Sequence, residues 1–419
     1  MQEHSVLGQV ALAYSPVIGR NRQVVATRLT VFPARPDSAP LVGPLLHALH
    51  EVWPPLADGA TPDLAQRSAA KAPAAHAVVL NLADEALLQA LLSAMPAPHF
   101  MIEVPAFMAA DPLQSPSLRQ LHAAGNVLLL KGRPSAALPA DVLSCFVHGI
   151  VDSEEDRRAM ASALPGASGH ARKLSLVQSG VRTSSAAALA FERGAVAVVG
   201  WPFDDPQPRP SGRSTVPTDV QVVLELINGV EREEPVGKLE MMLKRDPTLA
   251  FRLLRYLNSP AFGLSVEINS FGHALALLGY QRLKRWLALL LASSSKGNNV
   301  QPLMHAAVRR GLLMEELART QGDAEVRGEM FICGVFSLLD RLLQQPFAEM
   351  LRSLPVPERV QQALLGNGGP YGPYLDLVRA IEAEAVFDIR SAAESLMLGL
   401  GEVNQAVLRA LRTAKQLDG

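Results

Sequence analysis

Cysteine is nearly absent: Cys145 and Cys333 are the two in 419 residues. Thiols so few and so far apart give neither a disulfide framework nor a CxxC metal clip, and they fit a reducing compartment. Aromatic residues are scarce, at 5%, and so is net charge, with 39 Lys and Arg against 40 Asp and Glu. A balanced chain has no overall field to draw in nucleic acid or an anionic membrane, so neither is an expected partner. Long hydrophobic runs are missing as well. The longest strongly apolar stretch is Trp286 to Ala292, far short of the roughly 20 residues of a bilayer span. The opening MQEHSVLGQVALAY carries acidic Glu3, not a basic region, ahead of its apolar run, unlike a secretory leader. A soluble, cytoplasmic protein is expected. Walker loops, a GxGxxG after a strand, GxSxG and solenoid repeats are also lacking, which removes the commonest nucleotide-cleaving and esterase motifs.

What is present is aliphatic. Apolar residues make up 48% of the chain, enough for a large core, and the length suggests two domains. The stretch 201–217, WPFDDPQPRPSGRSTVP, cannot continue a helix or a central strand. It divides the chain into a first domain at 1–203, a linker at 204–217 and a second domain at 218–419. Residues 53–76 read as a long loop inside the first domain.

Short apolar runs recur before the boundary: Val6–Tyr14, Gln23–Val31, Val78–Leu82, Phe100–Val104, Val127–Leu130, Cys145–Val151, Lys173–Val177 and Ala195–Val199. Helical patterns fill most gaps from the third run onward. Strands alternating with helices imply right-handed βα units and a parallel sheet, and this many units favour a (β/α) barrel. Gly19–Arg22 reads as a turn making the first two runs an antiparallel hairpin. After residue 217 the period is helical throughout. Helices are expected at 219–230, after the cap Asp246, at 273–278, 281–292, about 302–320, 328–345, 347–353, 357–365, 373–384, 389–397 and 402–416. This is an all-α domain.

Two resemblances follow from particular residues. DPTLAFRLLRYLNSPAFGLS (246–265) and INSFGHALALLGYQRLKRWLALL (268–290) resemble the HDOD domain, a bacterial signalling module related to HD-type metal phosphohydrolases. Asp246–Pro247, Asn258–Ser259, Ser270 and Leu278–Gly279 carry the likeness, with FICGVFSLLD at 331–340. The first half resembles the EAL domain, a modified (β/α) barrel that hydrolyses cyclic di-GMP with two metal ions. There the likeness lies in TyrSerProValIleGly (14–19), ValLeuAsnLeu (79–82), MetIleGluVal (101–104) and GlyTrpProPhe (200–203). The implied fold is multidomain: an EAL-type barrel followed by an all-α HDOD domain.

The EAL resemblance implies carboxylate ligands at the ends of successive strands, since two divalent ions need several oxygen donors. In this chain the signature glutamate falls near Arg28. Asn81 and Glu103 are kept. The paired aspartates fall near Leu130 and Lys131, the catalytic lysine near His148, a later glutamate near Gln178 and a glutamine near Val199. Two cations where carboxylates belong leave positive charge facing the ions. Arg28, Asn81, Glu103, Lys131 and Gln178 are therefore candidate ligand-contacting residues of a relic pocket, with no metal or other cofactor. Arg28 and Lys131 have two readings: salt-bridged filling with Glu103, or a metal-free phosphate site. Glu85–Ala86–Leu87 spells the family name but opens a helix behind the cap Asp84, so it is a decoy.

HD hydrolases need an adjacent His-Asp pair, and no such dipeptide occurs. Ser337 and Leu338 stand at the equivalent place and read as helix packing; His273 and His305 read as core histidines. Arg252, Arg255, Arg282, Lys284 and Arg285 read as a solvated face, or else as a site for an acidic partner or a nucleic-acid backbone. Trp201 and Phe203 read as junction packing. The expected protein is a non-catalytic bacterial signalling scaffold with unidentified protein partners. A metal-free cyclic di-GMP receptor and a residual phosphodiesterase are its rivals.

Overall fold

The computed structural model describes residues 5–35, 41–55, 64–65, 77–162, 174–205, 218–243, 279–280, 283–285, 287–288, 291, 300–319, 322–343, 346–351 and 356–418. The chain forms two compact units, Met1–Asp205 with Ala380–Leu408, and Pro206–Arg379 with Arg409–Gly419.

In the first unit, the described strands close into an eight-stranded barrel in sequence order. They are β1 Val10–Gly19, β2 Val24–Pro33, β3 Val78–Leu82, β4 Phe100–Pro105, β5 Leu128–Lys131, β6 Phe146–Asp152, β7 Ser175–Ser179 and β8 Ala197–Val199. β1 runs antiparallel to both of its neighbours, β2 and β8, while the pairs from β2 to β8 are parallel. All ten residues of β1 are buried, because the lumen covers one face of such a barrel strand and outer elements cover the other. The Gly19–Arg22 turn closes as expected, with Arg22 N–H donating to Gly19 O at 2.9 Å.

The first strand starts later and runs further than its apolar run suggests: Ser5–Gln9 is a 3-10 turn. Ser15–Pro16 looks like a strand stop, but proline lacks only the donor. Pro16 lies opposite Thr27, and its carbonyl accepts from Gly200 N at 3.2 Å. Only glycine fits at 200, where φ is +130° and a Cβ would lie 2.4 Å from Val181 O.

Alternate residues along the strands share the lumen. Val17, Ala26, Val79, Met101, Leu129, Ile150, Val177, Ala197 and Val199 form one buried cluster. Helices α1 Val42–His50, α2 Glu85–Ser93, α3 Ser115–Ala123, α4 Ser153–Ser162 and α5 Ser184–Glu192 fill connections. Ala187 and Ala190 of α5 pack on Ile18, Val24 and Val198, which point outward. Asp84 caps α2 by accepting from Leu87 N at 2.8 Å, so Glu85–Ala86–Leu87 is a helix start and not a strand-end motif.

The described helices of the second unit include α6 Thr218–Glu231, α7 Val236–Leu243, α8 Val300–Leu317, α9 Ala324–Phe336 and α10 Glu358–Leu364. α8 and α9 approach closely at Gly334, where a Cβ would lie 2.5 Å from Arg310 O. Ser337 is buried; it donates to Gly334 O at 2.7 Å and accepts from Arg310 at 3.0 Å. Lys284 pairs with Glu231. Arg285 pairs with Glu315 at 2.6 Å and stacks 3.9 Å from the Phe331 centroid. Two of the five cations read as a solvated face are thus bound inside the unit. His305 is pushed well below its ordinary pKa by burial, then by Arg309, and is neutral. The motif stretches 246–265 and 268–278, together with Arg252, Arg255, His273, Arg282 and residues 206–217, lie outside the described residues.

One division differs from the sequence reading. Ala380–Leu408, assigned there to the helical domain 218–419, belongs to the barrel unit. It holds the end of α11 (Gly372–Glu382), all of α12 (Val386–Ser395) and the start of α13 (Leu400–Asp418). Buried Asn404 fixes it to the first strand. Its amide donates to Leu7 O and Val10 O, both at 2.7 Å, and its oxygen accepts from Leu12 N at 2.9 Å. Arg390 donates to Pro33 O at 2.9 Å. Trp201, packed edge-on against Tyr14, donates its indole N–H to Glu382 O at 3.0 Å. Its junction is therefore with this returning segment.

Candidate functional site at the barrel mouth

Two residues beyond the apolar layer, the inward positions turn polar. Arg28 and Thr30 of β2, Asn81 of β3, Glu103 of β4 and Lys131 of β5 lie on that face, as does Ser15 of β1, opposite Arg28. Arg28 and Glu103 form a fork: Nε to Oε1 at 2.6 Å and Nη2 to Oε2 at 2.9 Å. Arg28 is 7% exposed and Glu103 1%, so neither charge has water as a substitute partner.

The fork leaves Nη1 of Arg28, and a residue that sequence reasoning missed takes it. Glu384 accepts from Nη1 on both carboxylate oxygens, at 2.8 and 2.9 Å. Ser15 Oγ donates to Oε1 at 3.1 Å, and Thr30 Oγ1 donates to Oε2 at 2.9 Å. Glu384 stands in the turn after α11, which ends with paired bonds: Ala385 N to Ala380 O at 3.1 Å and Glu384 N to Ile381 O at 3.2 Å. This is the Schellman arrangement, whose left-handed position glycine usually fills. Here a glutamate fills it, at φ +55°.

Lys131 completes the set. Its ammonium donates to Asn81 Oδ1 at 2.7 Å, and Asn81 Nδ2 donates to Thr30 Oγ1 at 3.1 Å. Two cations now face two carboxylates. Burial alone would lower the Arg28 pKa, but Glu103 and then Glu384 outweigh it and hold the guanidinium above its ordinary value. Burial pushes Lys131 below its ordinary value; Glu103 opposes this, Arg28 adds to it and Glu384 opposes it.

Of the five expected pocket residues, the structure joins Arg28, Asn81, Glu103 and Lys131 in one hydrogen-bonded network. Gln178 is a correction. It lies opposite Val198 on the outward face, and its amide donates to Val151 O at 2.8 Å. The lumen positions of β7 are its neighbours, Val177 by packing and Ser179 by alternation. His148, matched to the catalytic lysine, is fully buried, in register with Leu129 and Ser175.

Beside the network lies an open cavity of ≈ 590 Å³ lined by Lys131, Arg133, Asp84, Asp152, Glu155 and Ser179, among others. Three of its four carboxylates have structural work, and the fourth, Glu85, stands in the first turn of α2. Asp84 caps α2, Asp152 accepts from Glu154 N at 2.9 Å, and Glu155 accepts from Arg133 N at 3.1 Å. The donor set does not fit a two-ion centre. Glu103 is spent on Arg28, and the oxygen of Asn81 is spent on Lys131. Among the described residues no group of three or more His, Cys, Asp or Glu could hold a metal ion. Nor, among them, is any helix long and apolar enough to cross a membrane.

An eight-stranded barrel with a reversed first strand, combined with a helical unit, defines the architecture. Residues 216–351 match the HDOD domain, and the chain carries one there. The chain is 35% identical over 163 residues to the uncharacterized protein YuxH of Bacillus subtilis, covering 38% of this chain and 40% of that protein. It is 28% identical over 181 residues to the cyclic di-GMP phosphodiesterase CdgJ of Vibrio cholerae, covering 43% and 42%. The matched stretch thus spans about two fifths of the length of these curated relatives. Among solved structures, the EAL enzyme Bd1971 in its cGMP-bound form is similar with a TM-score of 0.31. It has 12% identity, over 46% of this chain and 60% of that one.

Proposed function

We propose that this is a non-catalytic regulatory protein of bacterial cyclic di-GMP signalling, in which an EAL-type barrel and an HDOD domain bind partner proteins instead of cleaving a phosphodiester. One observation carries the reading: the strand ends where a two-ion centre needs free carboxylates hold a closed set of Arg28, Lys131, Glu103 and Glu384. Placing two divalent ions there would require breaking a buried ion pair and leaving both cations facing metal. The likeness to CdgJ supports the signalling context.

The test is incubation with cyclic di-GMP and Mn²⁺ or Mg²⁺, with linear dinucleotide followed by chromatography. No product above the protein-free control is expected. Turnover that disappears in Glu103→Gln would refute the reading.

The cavity beside Lys131 favours a second reading, metal-free nucleotide binding. Arg28 is committed to two carboxylates, so in that case Lys131 and Arg133 would meet the phosphates. Calorimetry with cyclic di-GMP, without Mg²⁺, would then show saturable heat that is lost in Lys131→Ala; no heat at high micromolar ligand removes this reading.

A further inference from the structure

We infer that Arg28, Thr30 and Ser15 form a carboxylate-binding site in the barrel mouth, and that Glu384 is its resident occupant. The geometry is that of a receptor for a planar, two-oxygen anion. Oε1 takes Nη1 of Arg28 and the Ser15 hydroxyl; Oε2 takes Nη1 and the Thr30 hydroxyl. Four donor contacts converge on one side chain that is itself 25% exposed, whereas Arg28 behind it is 9% exposed by side chain. The occupant therefore reaches the site from the solvent side and the donors are built into the wall. The occupant's backbone also stands at φ +55°, a left-handed conformation that non-glycine residues disfavour.

The charge balance sets the ligand class. Arg28 and Lys131 together face Glu103, which leaves one positive charge, so the site favours a monoanion; a phosphate dianion would exceed that balance by one negative charge beside the buried carboxylate. The natural ligand class is an acidic side chain, supplied in cis by the returning segment. The inference goes beyond the regulatory reading and does not depend on it.

Glu384→Gly tests it on the full chain, because glycine keeps the left-handed turn and removes only the carboxylate. Thermal unfolding of that variant is titrated with sodium acetate, with sodium chloride at equal ionic strength as the reference. A saturable rise of Tm in acetate beyond chloride is expected for Glu384→Gly and not for R28M/E384G. Inorganic phosphate at pH 8 should give less than acetate. Should Glu384→Gly not fold, Glu384→Asn also tolerates the turn and leaves room for acetate. An acetate response absent from the folding variant, or equal in R28M/E384G, overturns the site. A phosphate response as large as that of acetate overturns the carboxylate class.

Discussion

Replacing Arg28 with Met probes how far the mouth of the barrel is held by opposed charges. Arg28 donates to both oxygens of Glu103 and both oxygens of Glu384. Methionine fills much of the space and makes none of those bonds. Glu384 can turn to water, since its side chain is 25% exposed. Glu103 cannot, because its side chain is fully buried. Removing one partner of such a pair costs about 3–5 kcal/mol. At about 2–4 °C per kcal/mol for a unit near 200 residues, the barrel transition should fall by roughly 6–20 °C. Replacing Arg28 and both carboxylates by apolar residues, in R28M/E103L/E384L, should recover part of that loss, because the fully buried Glu103 charge is then gone, while Lys131 keeps Asn81 as its partner. Urea unfolding in a Trp286→Phe background isolates the signal to Trp53 and Trp201 of the barrel unit. The reasoning fails if Arg28→Met costs less than about 1 kcal/mol, or if the triple variant is no more stable than the single one.

Other consequences are smaller or more local. Burial holds Lys131 below its ordinary pKa of 10.5. In the window below that value the folded chain binds fewer protons here than the unfolded one, so stability from this site rises with pH. The stability of the native chain minus that of Lys131→Met should therefore grow as the pH rises toward 10.5; a flat or shrinking difference contradicts it. Burial pushes the Cys333 thiol up to about 12, with Arg379 opposing. Its alkylation by iodoacetamide at mild alkaline pH should track unfolding, and rapid labelling of the native chain would contradict this. Asn404→Leu removes the partners of Leu7 O, Val10 O and Leu12 N. A loss of at least about 2 kcal/mol is expected, with faster hydrogen exchange at the Leu12 amide; unchanged exchange there would mean that Asn404 does not hold the segment.

The barrel was legible because its parallel strands are short apolar runs, most of them between helical patterns, and all seven runs for β2 to β8 start within two residues of the observed strands. β1 starts four residues later than its apolar run because Ser5–Gln9 forms a 3-10 turn ahead of it, and it runs on through Pro16, which lacks only the donor. Gln178 was read into the pocket from its strand, but a strand reverses face at every residue, and Gln178 lies opposite outward-facing Val198. Glu384 could not be reached by pattern at all, since 356 residues separate it from Arg28. One signal pointed to it: two cations and one acid in a closed space leave a charge unmatched, so a second carboxylate had to come from elsewhere. The helical period of residues 373–416 showed that a face is buried, but it carries no information on what buries it. A barrel and a helical neighbour ask for the same apolar stripe.

The most direct measurement is an anomalous difference map at the manganese edge, from crystals of the full chain grown with Mn²⁺ and cyclic di-GMP. The expected map shows the Arg28 guanidinium between Glu103 and Glu384 and no ion at the strand ends. Two strong peaks about 3.5–4 Å apart beside Glu103, with Arg28 swung away, would contradict it.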